Sequence, residues 1–265
     1  THTDSSAASD VYKRQYGGNV LIDRNVFNNF ISDINVLNKL GLSIIVVHGG
    51  GPRIKRELDK KNIVSKFING LRVTDKSIID IVEKVLIDFN KDIVNSLKKL
   101  GCEAISFHTQ KNSTIDVEPE GEELGFVGVP KKININLIEN TLNENKIPII
   151  APLGLGKNNQ KYNINGDTAA SAIAKKLKSR RLILMTNVEG VYDDQKKLIS
   201  EIKPFDLENL IKWKVVQGGM IPKIENCVDA VQNGVKGVVI LDGRKPHSVL
   251  HEIFSDKGSG TLIRE

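Results

Sequence analysis

The stretch Ser43–Val47 reads SIIVV and runs straight into His48-Gly49-Gly50-Gly51-Pro52. A short unbroken run of β-branched residues is the pattern of a strand buried on both faces, as in a parallel sheet covered by helices. A strand that passes through glycines into a helix brings backbone N–H groups and a helix dipole to one point, the place where an open α/β sheet holds ligands. Three successive residues without a Cβ let those N–H groups approach a phosphoryl oxygen closely. The segment therefore predicts an α/β chain that handles a phosphoryl group.

Helical and strand signals alternate through the rest of the 265 residues in the manner that builds a mainly parallel sheet covered on both sides. Apolar positions between Val26 and Leu37 recur at helical spacing up to Gly41, and a longer amphipathic helix runs from Ile78 to Leu97 up to Gly101. Ala104–Phe107, Ile147–Ala151, Leu182–Met185 and Val238–Leu241 read as further strands, and Leu137–Leu142 as a helix. The turn formers between Lys111 and Pro130 predict a β-hairpin excursion, and Asp167 is expected to cap a helix from Thr168 to about Leu177. Residues 1–15 (THTDSSAASDVYKRQ) lack periodicity, resemble translated adaptor sequence and are expected to precede the fold as a foreign or disordered leader. Residues 16–265 then form one domain, with a lobe boundary near residue 178.

Composition narrows the function classes. The net charge is +6, yet the basic residues are scattered and aromatics make up only 5%, which gives few stacking platforms for nucleic acid. No apolar run approaches the roughly 20 residues that span a bilayer, and no export signal opens the chain, so a cytoplasmic location without a membrane partner is expected. The two cysteines, Cys102 and Cys227, stand far apart in apolar contexts and read as reduced packing residues.

Neither G-x-x-x-x-G-K-[ST] nor a helix-opening G-x-G-x-x-G is present, which argues against a dehydrogenase and the common nucleoside-triphosphatase fold. Four glycine clusters are candidates for phosphate: Gly17-Gly18, Gly49-Gly50-Gly51, Gly154/Gly156 and Gly218-Gly219. Arg72, in NGLRVTD, stands just before the cap of the long helix, where its fork suits a carboxylate or, as a lone motif, a surface ion pair. Asp167, in YNINGDTAA, is explained equally by helix capping. Lys223 falls in the first turn of a helix, against the dipole, and needs an anionic partner.

Taken together, YGGN, VVHGGGP, NGLRVTD, LGFVG, YNINGDTAA, LMTNVEGVY, QGGMIPKI and HSVLHEIFSDKGSGT follow in an order that resembles the N-acetylglutamate kinases of the amino-acid kinase family, from Tyr16 to Glu265. The resemblance implies an open, mostly parallel, eight-stranded αβα sandwich. It implies transfer of the γ-phosphoryl group of ATP, with Mg2+, to the side-chain carboxylate of N-acetyl-L-glutamate, the second step of arginine synthesis. By matched motifs, Gly50 and Gly51 meet the substrate and the transferred group, Arg72 the α-carboxylate, and Asn163 the backbone polar groups. Lys223 neutralises charge on the nucleotide side, and Asp167 holds the catalytic lysines. Gly17, Gly18 and the segment from Thr186 and Asn187 to Tyr192 serve the nucleotide. The two lobes, about 16–178 and 179–265, hold acyl substrate and nucleotide. Such chemistry joins two anions and requires charge neutralisation and in-line positioning rather than a base, which leaves His48 a loop-orienting role.

The resemblance also implies feedback by arginine, with Glu252 and Gly258 as candidate contacts, and a homo-oligomer: a dimer here, a hexamer where an N-terminal helix precedes the first strand. The family's K-x-G-G lysine is replaced by Gln15, and Lys13 lies two residues back on the same strand face. The natural gene is expected to carry lysine there. Ser106–Gln110, expected near the acyl-substrate side, replaces a glycine-containing turn common in the family and leaves a kinase for an acylated aminoadipate as one alternative, and the missing lysine leaves a catalytically impaired arginine- or nucleotide-binding homologue as another.

Overall fold

The computed structural model describes residues 11–16, 23–212, 215–216 and 220–265. In chain order these form β1 (Val11–Tyr16), α1 (Arg24–Lys39), β2 (Ser43–His48), α2 (Gly51–Lys60), β3 (Phe67–Ile68), β4 (Leu71–Arg72), α3 (Lys76–Lys99), β5 (Ala104–Phe107), β6 (Ile115–Pro119), β7 (Gly128–Ile133), α4 (Ile135–Asn143) and β8 (Ile147–Ile150). The chain continues through β9 (Leu153–Leu155), β10 (Lys161–Asn163), α5 (Gly166–Lys176), β11 (Arg181–Thr186), β12 (Val191–Tyr192), β13 (Leu198–Ile199), β14 (Glu201–Ile202), α6 (Leu207–Lys212), α7 (Met220–Gln232), β15 (Val238–Asp242), α8 (Ser248–Phe254) and β16 (Gly260–Ile263).

Eight of these strands form one sheet in the order β14-β16-β15-β11-β1-β2-β8-β5, and only the β15–β16 pair is antiparallel. Alternate residues of β2 show why helices cover both faces. Ile45 and Val47 pack into a core with Ala170 and Ile173 of α5 and Ile224 and Val228 of α7, whereas Ile44 and Val46 meet Phe30 and Ile34 of α1 and Phe89 and Ile93 of α3. A strand with both faces buried has to be apolar throughout, so the uninterrupted SIIVV run was a reliable signal. The expected αβα sandwich is what forms.

Val11–Gln15, expected to precede the fold, pair in register with β2 on one side and, from Tyr12, with β11 on the other, Gln15 opposite both Val47 and Leu184. A slot between two parallel strands is filled by backbone hydrogen bonds, which need no particular side chain. The hairpin excursion is present as β6 and β7, and it joins β9 and β10 in a separate four-stranded sheet beside the large one. Gly154 belongs to that small sheet and does not open a helix: a Cβ there would meet Val117 Cγ1 at 2.4 Å and the Ile115 carbonyl at 2.9 Å. Close packing explains this glycine without any ligand. Among the described residues no helix is long and apolar enough to cross a membrane.

Candidate functional site

Strands β1 and β2 step to one side of the sheet while β11 and β15 step to the other, so the direction of winding reverses around β1. Crevices at such a reversal, outside the carboxyl ends of the strands, are where open α/β sheets bind ligands. Here that crevice is a cleft of about 290 Å³. Its lining brings together Gly50 and Gly51 after β2, Arg72 on β4, Asn163 on β10, Asp167 on α5 and Lys223 on α7, residues separated by up to 173 positions in the chain. The six come from four separate motifs of the sequence: VVHGGGP, NGLRVTD, YNINGDTAA and QGGMIPKI.

The cleft is built to hold negative charge. Gly51 starts α2, Asp167 lies in the first turn of α5 and Lys223 in the first turn of α7, so residues from the first turns of three helices line it, and helix N-termini favour negative charge. A Cβ built on Gly51 would meet nothing within 4 Å, so the space above this turn belongs to the cleft and not to packing.

Arg72 is only 9% exposed, and among the described residues it has no carboxylate within ion-pairing distance. Its guanidinium donates to the Ser65 hydroxyl and, at 3.2 Å, to the Gly51 carbonyl, and it stacks 4.7 Å from the Phe67 ring centroid. Phe67 faces Arg72 directly across the β3–β4 ladder. Desolvation lowers the pKa of Arg72, with Asp59 acting the other way. A guanidinium still has ample basicity to remain charged, so this is a buried cation with neutral partners.

Asp167 does not cap α5. Asn165 does, accepting from the Thr168 N–H at 3.1 Å, and Asp167 instead receives the Lys223 ammonium at 2.6 Å. The side chains of this pair are 23% and 19% exposed. The anionic partner that Lys223 required is therefore Asp167, and each residue sits at a helix N-terminus that favours the carboxylate and opposes the ammonium.

His48 is fully buried at the base of the glycine turn. Asn90 of α3 donates to its Nε2 at 3.2 Å and to the Ile149 carbonyl at 2.8 Å, which leaves Nδ1–H to donate to the Gly49 carbonyl at 2.9 Å. Burial depresses its pKa from 6.5 to about 4, so the ring is neutral and orients the turn. Because the unfolded chain takes up this proton more readily, the stability it confers is complete above about pH 6.5 and is lost as pH falls toward about 4. Denaturant titrations should show the wild type losing up to roughly 3 kcal/mol more than His48→Gln across that window. Equal losses in both proteins would contradict a neutral His48.

Thr186 ends β11 and Asn187 and Tyr192 follow it, but none of the three lines the same cleft. Thr186 is buried and accepts the Gly243 N–H at 2.9 Å through its carbonyl. Tyr192 is partly exposed beside Glu189, and desolvation followed by that carboxylate raises its pKa. Glu252 and Gly258 do come together at the far edge: the Glu252 carboxylate accepts the Ser259 N–H at 2.8 Å, next to Gly258. Gly17, Gly18, Gly218 and Gly219 lie outside the described residues. Ser106–Gln110, expected near the acyl substrate, does not line the cleft, and Thr109 donates instead to Glu83 at 2.6 Å. Cys102 and Cys227 are free and buried, and burial pushes the Cys227 thiol up to about 12.

Two contributors were missed in the sequence. Asn165 was hidden by Asp167, an equally good capping residue two positions on. Phe67 reads as an ordinary exposed aromatic until the two-residue hairpin pairs it with Arg72.

The description of the amino acid kinase family matches residues 15–242. A protein of Pelagibacter ubique named acetylglutamate kinase is 56% identical over 249 residues, covering 94% of this chain and 86% of its own length. One from Clostridioides difficile with the same name is 46% identical over 256 residues, covering 95% of this chain and 90% of its own. Among solved structures, N-acetylglutamate synthase from Neisseria gonorrhoeae, complexed with coenzyme A and N-acetyl-glutamate, shares the fold with a TM-score of 0.88 at 21% identity, and this chain spans 60% of its length.

Proposed function

The chain belongs to the amino acid kinase family, and from that premise we propose that it phosphorylates the side-chain carboxylate of N-acetyl-L-glutamate with ATP, giving N-acetyl-L-glutamyl 5-phosphate for arginine biosynthesis. The observation that carries this reading is the cleft itself, where a buried guanidinium with no carboxylate partner among the described residues, a lysine and the first turns of three helices converge. Such a set suits a doubly anionic acceptor meeting a polyphosphate.

In this reading Arg72 grips the α-carboxylate and Asn163 the backbone polar groups of the acceptor. The N–H groups at Gly50 and Gly51 lie against the phosphoryl group in transfer, and Lys223 draws charge toward the nucleotide as the bond to the β-phosphate breaks. The acceptor carboxylate is already ionised, so no base is required and Asp167 is free to hold Lys223. Mg2+, when bound with the nucleotide, would supply charge shielding for its phosphates. Gly17 and Gly18, with Thr186, Asn187 and Tyr192, serve the nucleotide, on the 179–265 side of a cleft whose 16–178 side holds the acyl substrate. Arginine as feedback inhibitor acting near Glu252 and Gly258, and a homo-oligomer, complete the reading.

Relatives of the same name over nearly the whole chain favour acetylglutamate over an acylated aminoadipate or an inactive binder. Trapping the acyl phosphate with hydroxylamine tests this. The expected result is hydroxamate from N-acetylglutamate at least about tenfold faster than from N-acetyl-2-aminoadipate, the range one methylene can give. A preference for the longer acid would overturn the substrate assignment.

A further inference from the structure

The segment Leu124–Gly128 belongs to a motif for which the site just described has no use. It crosses between the two acceptor-binding walls. Thr74 N–H donates to the Leu124 carbonyl at 3.0 Å, and Phe126 N–H donates back to the Thr74 carbonyl at 2.7 Å. The Phe126 carbonyl in turn accepts the Asn163 N–H at 2.9 Å. One peptide unit on each side of Phe126 thus ties Thr74, two residues beyond Arg72, to the strand of Asn163. A second tie runs through the Thr74 hydroxyl, which donates to the Arg72 carbonyl at 2.9 Å and accepts from the Asn163 amide at 3.4 Å. The next residue, Val127, is 2% exposed and lines the cleft between the walls.

Gly125 makes this crossing possible. Its φ of +67° and ψ of −120° form a combination that residues with a Cβ avoid. An added Cβ would also lie 2.6 Å from the Thr74 carbonyl oxygen, a backbone atom that cannot swing aside. The strap consequently touches Thr74 at a distance only glycine allows.

We propose that Gly125 is a positioning residue that, through the Leu124–Gly128 strap, locks Arg72 and Asn163 into one anchor for the α end of the acceptor, and that this anchor, whose Arg72 guanidinium also donates to the Gly51 carbonyl at 3.2 Å, selects the length of the acyl amino acid by its fixed place relative to the glycine turn. The proposal rests on the functional reading above, in which those two side chains hold the acceptor. With its α-carboxylate on Arg72, an acceptor one methylene longer carries its reacting carboxylate past the glycine turn unless the anchor yields. A rigid tie prevents it from yielding.

The test is calorimetry of the full chain with N-acetylglutamate, N-acetyl-2-aminoadipate and ADP, each compared across wild type, Gly125→Ala, Thr74→Val and Thr74→Ser. Gly125→Ala should weaken N-acetylglutamate binding about tenfold or more, narrow the preference over the longer acid, and leave ADP affinity within about twofold, since one misplaced wall affects one ligand. Thr74→Val should act in the same direction more weakly, and Thr74→Ser, which keeps the hydroxyl, should recover wild-type selectivity. A folded Gly125→Ala protein with unchanged selectivity, or with ADP affinity lost in equal measure, overturns the inference. If Gly125→Ala does not fold, the Thr74 pair decides, and a selectivity identical in Val, Ser and wild type overturns it. A wild type that binds neither acyl amino acid overturns the functional reading and this inference with it.

Discussion

Replacing Lys223 with methionine should lower kcat about 10²- to 10³-fold while KM for N-acetylglutamate changes little, because the ammonium acts on charge that develops only as the phosphoryl group moves. The sequence places this cation in the first turn of α7, against the helix dipole, and the structure supplies the compensation: Asp167, 2.6 Å away, at the start of α5. Removing the ammonium also leaves Asp167 partly buried without its partner, so thermal unfolding must be followed beside the kinetics. Asp167→Asn separates the two effects. It keeps Lys223 and its charge but loses the ionic anchor, and should give a smaller loss of kcat. Should Lys223→Met remain folded and turn over at the wild-type rate, the lysine would be no more than half of a structural ion pair.

Gln15→Lys is expected to act in the opposite direction, raising kcat by about 10²-fold, the effect of one well-placed donor on a developing anion. Position 15 is the last but one residue of the central strand, in register with Val47 and Leu184, and so stands at the level where β2 passes into its glycine turn. Lys13 lies two residues back along the strand, roughly 7 Å, too far to replace a lysine at position 15. Gln15→Met serves as the control for side-chain bulk. A Gln15→Lys protein no faster than the parent would show that the strand end carries no charge-stabilising position.

Most of the sheet was legible because strands such as β2, β8, β11 and β15 are buried on both faces and therefore apolar without interruption. Strand β1 was not legible. VYKRQY has no apolar run, and what places it is the pair of vacant strand edges on β2 and β11, a long-range condition that no local pattern reports. The same contrast holds within the site. Lysine in a first turn announced that an anion must be near, yet which anion depended on a residue 56 positions away. Asn165 and Asp167 are both capping residues by type, and only the competing pull of Lys223 on Asp167 decides that Asn165 caps α5. Gly154 misled for the converse reason, since a glycine demanded by side-chain packing and one demanded by a ligand look alike in sequence. The Gly125 strap was quoted as part of a motif, but its meaning lies in hydrogen bonds to residues about 50 and 37 positions away on either side.

The central claim, transfer of a phosphoryl group from ATP to the side-chain carboxylate of N-acetylglutamate, is tested most directly by phosphorus NMR of the Gln15→Lys protein with ATP, Mg2+ and N-acetylglutamate labelled with oxygen-18 in that carboxylate. The account predicts an acyl-phosphate resonance that grows with ADP, depends on the acceptor, and carries the isotope shift of a bridging oxygen-18. Formation of ADP with unlabelled inorganic phosphate and no acyl phosphate would contradict it.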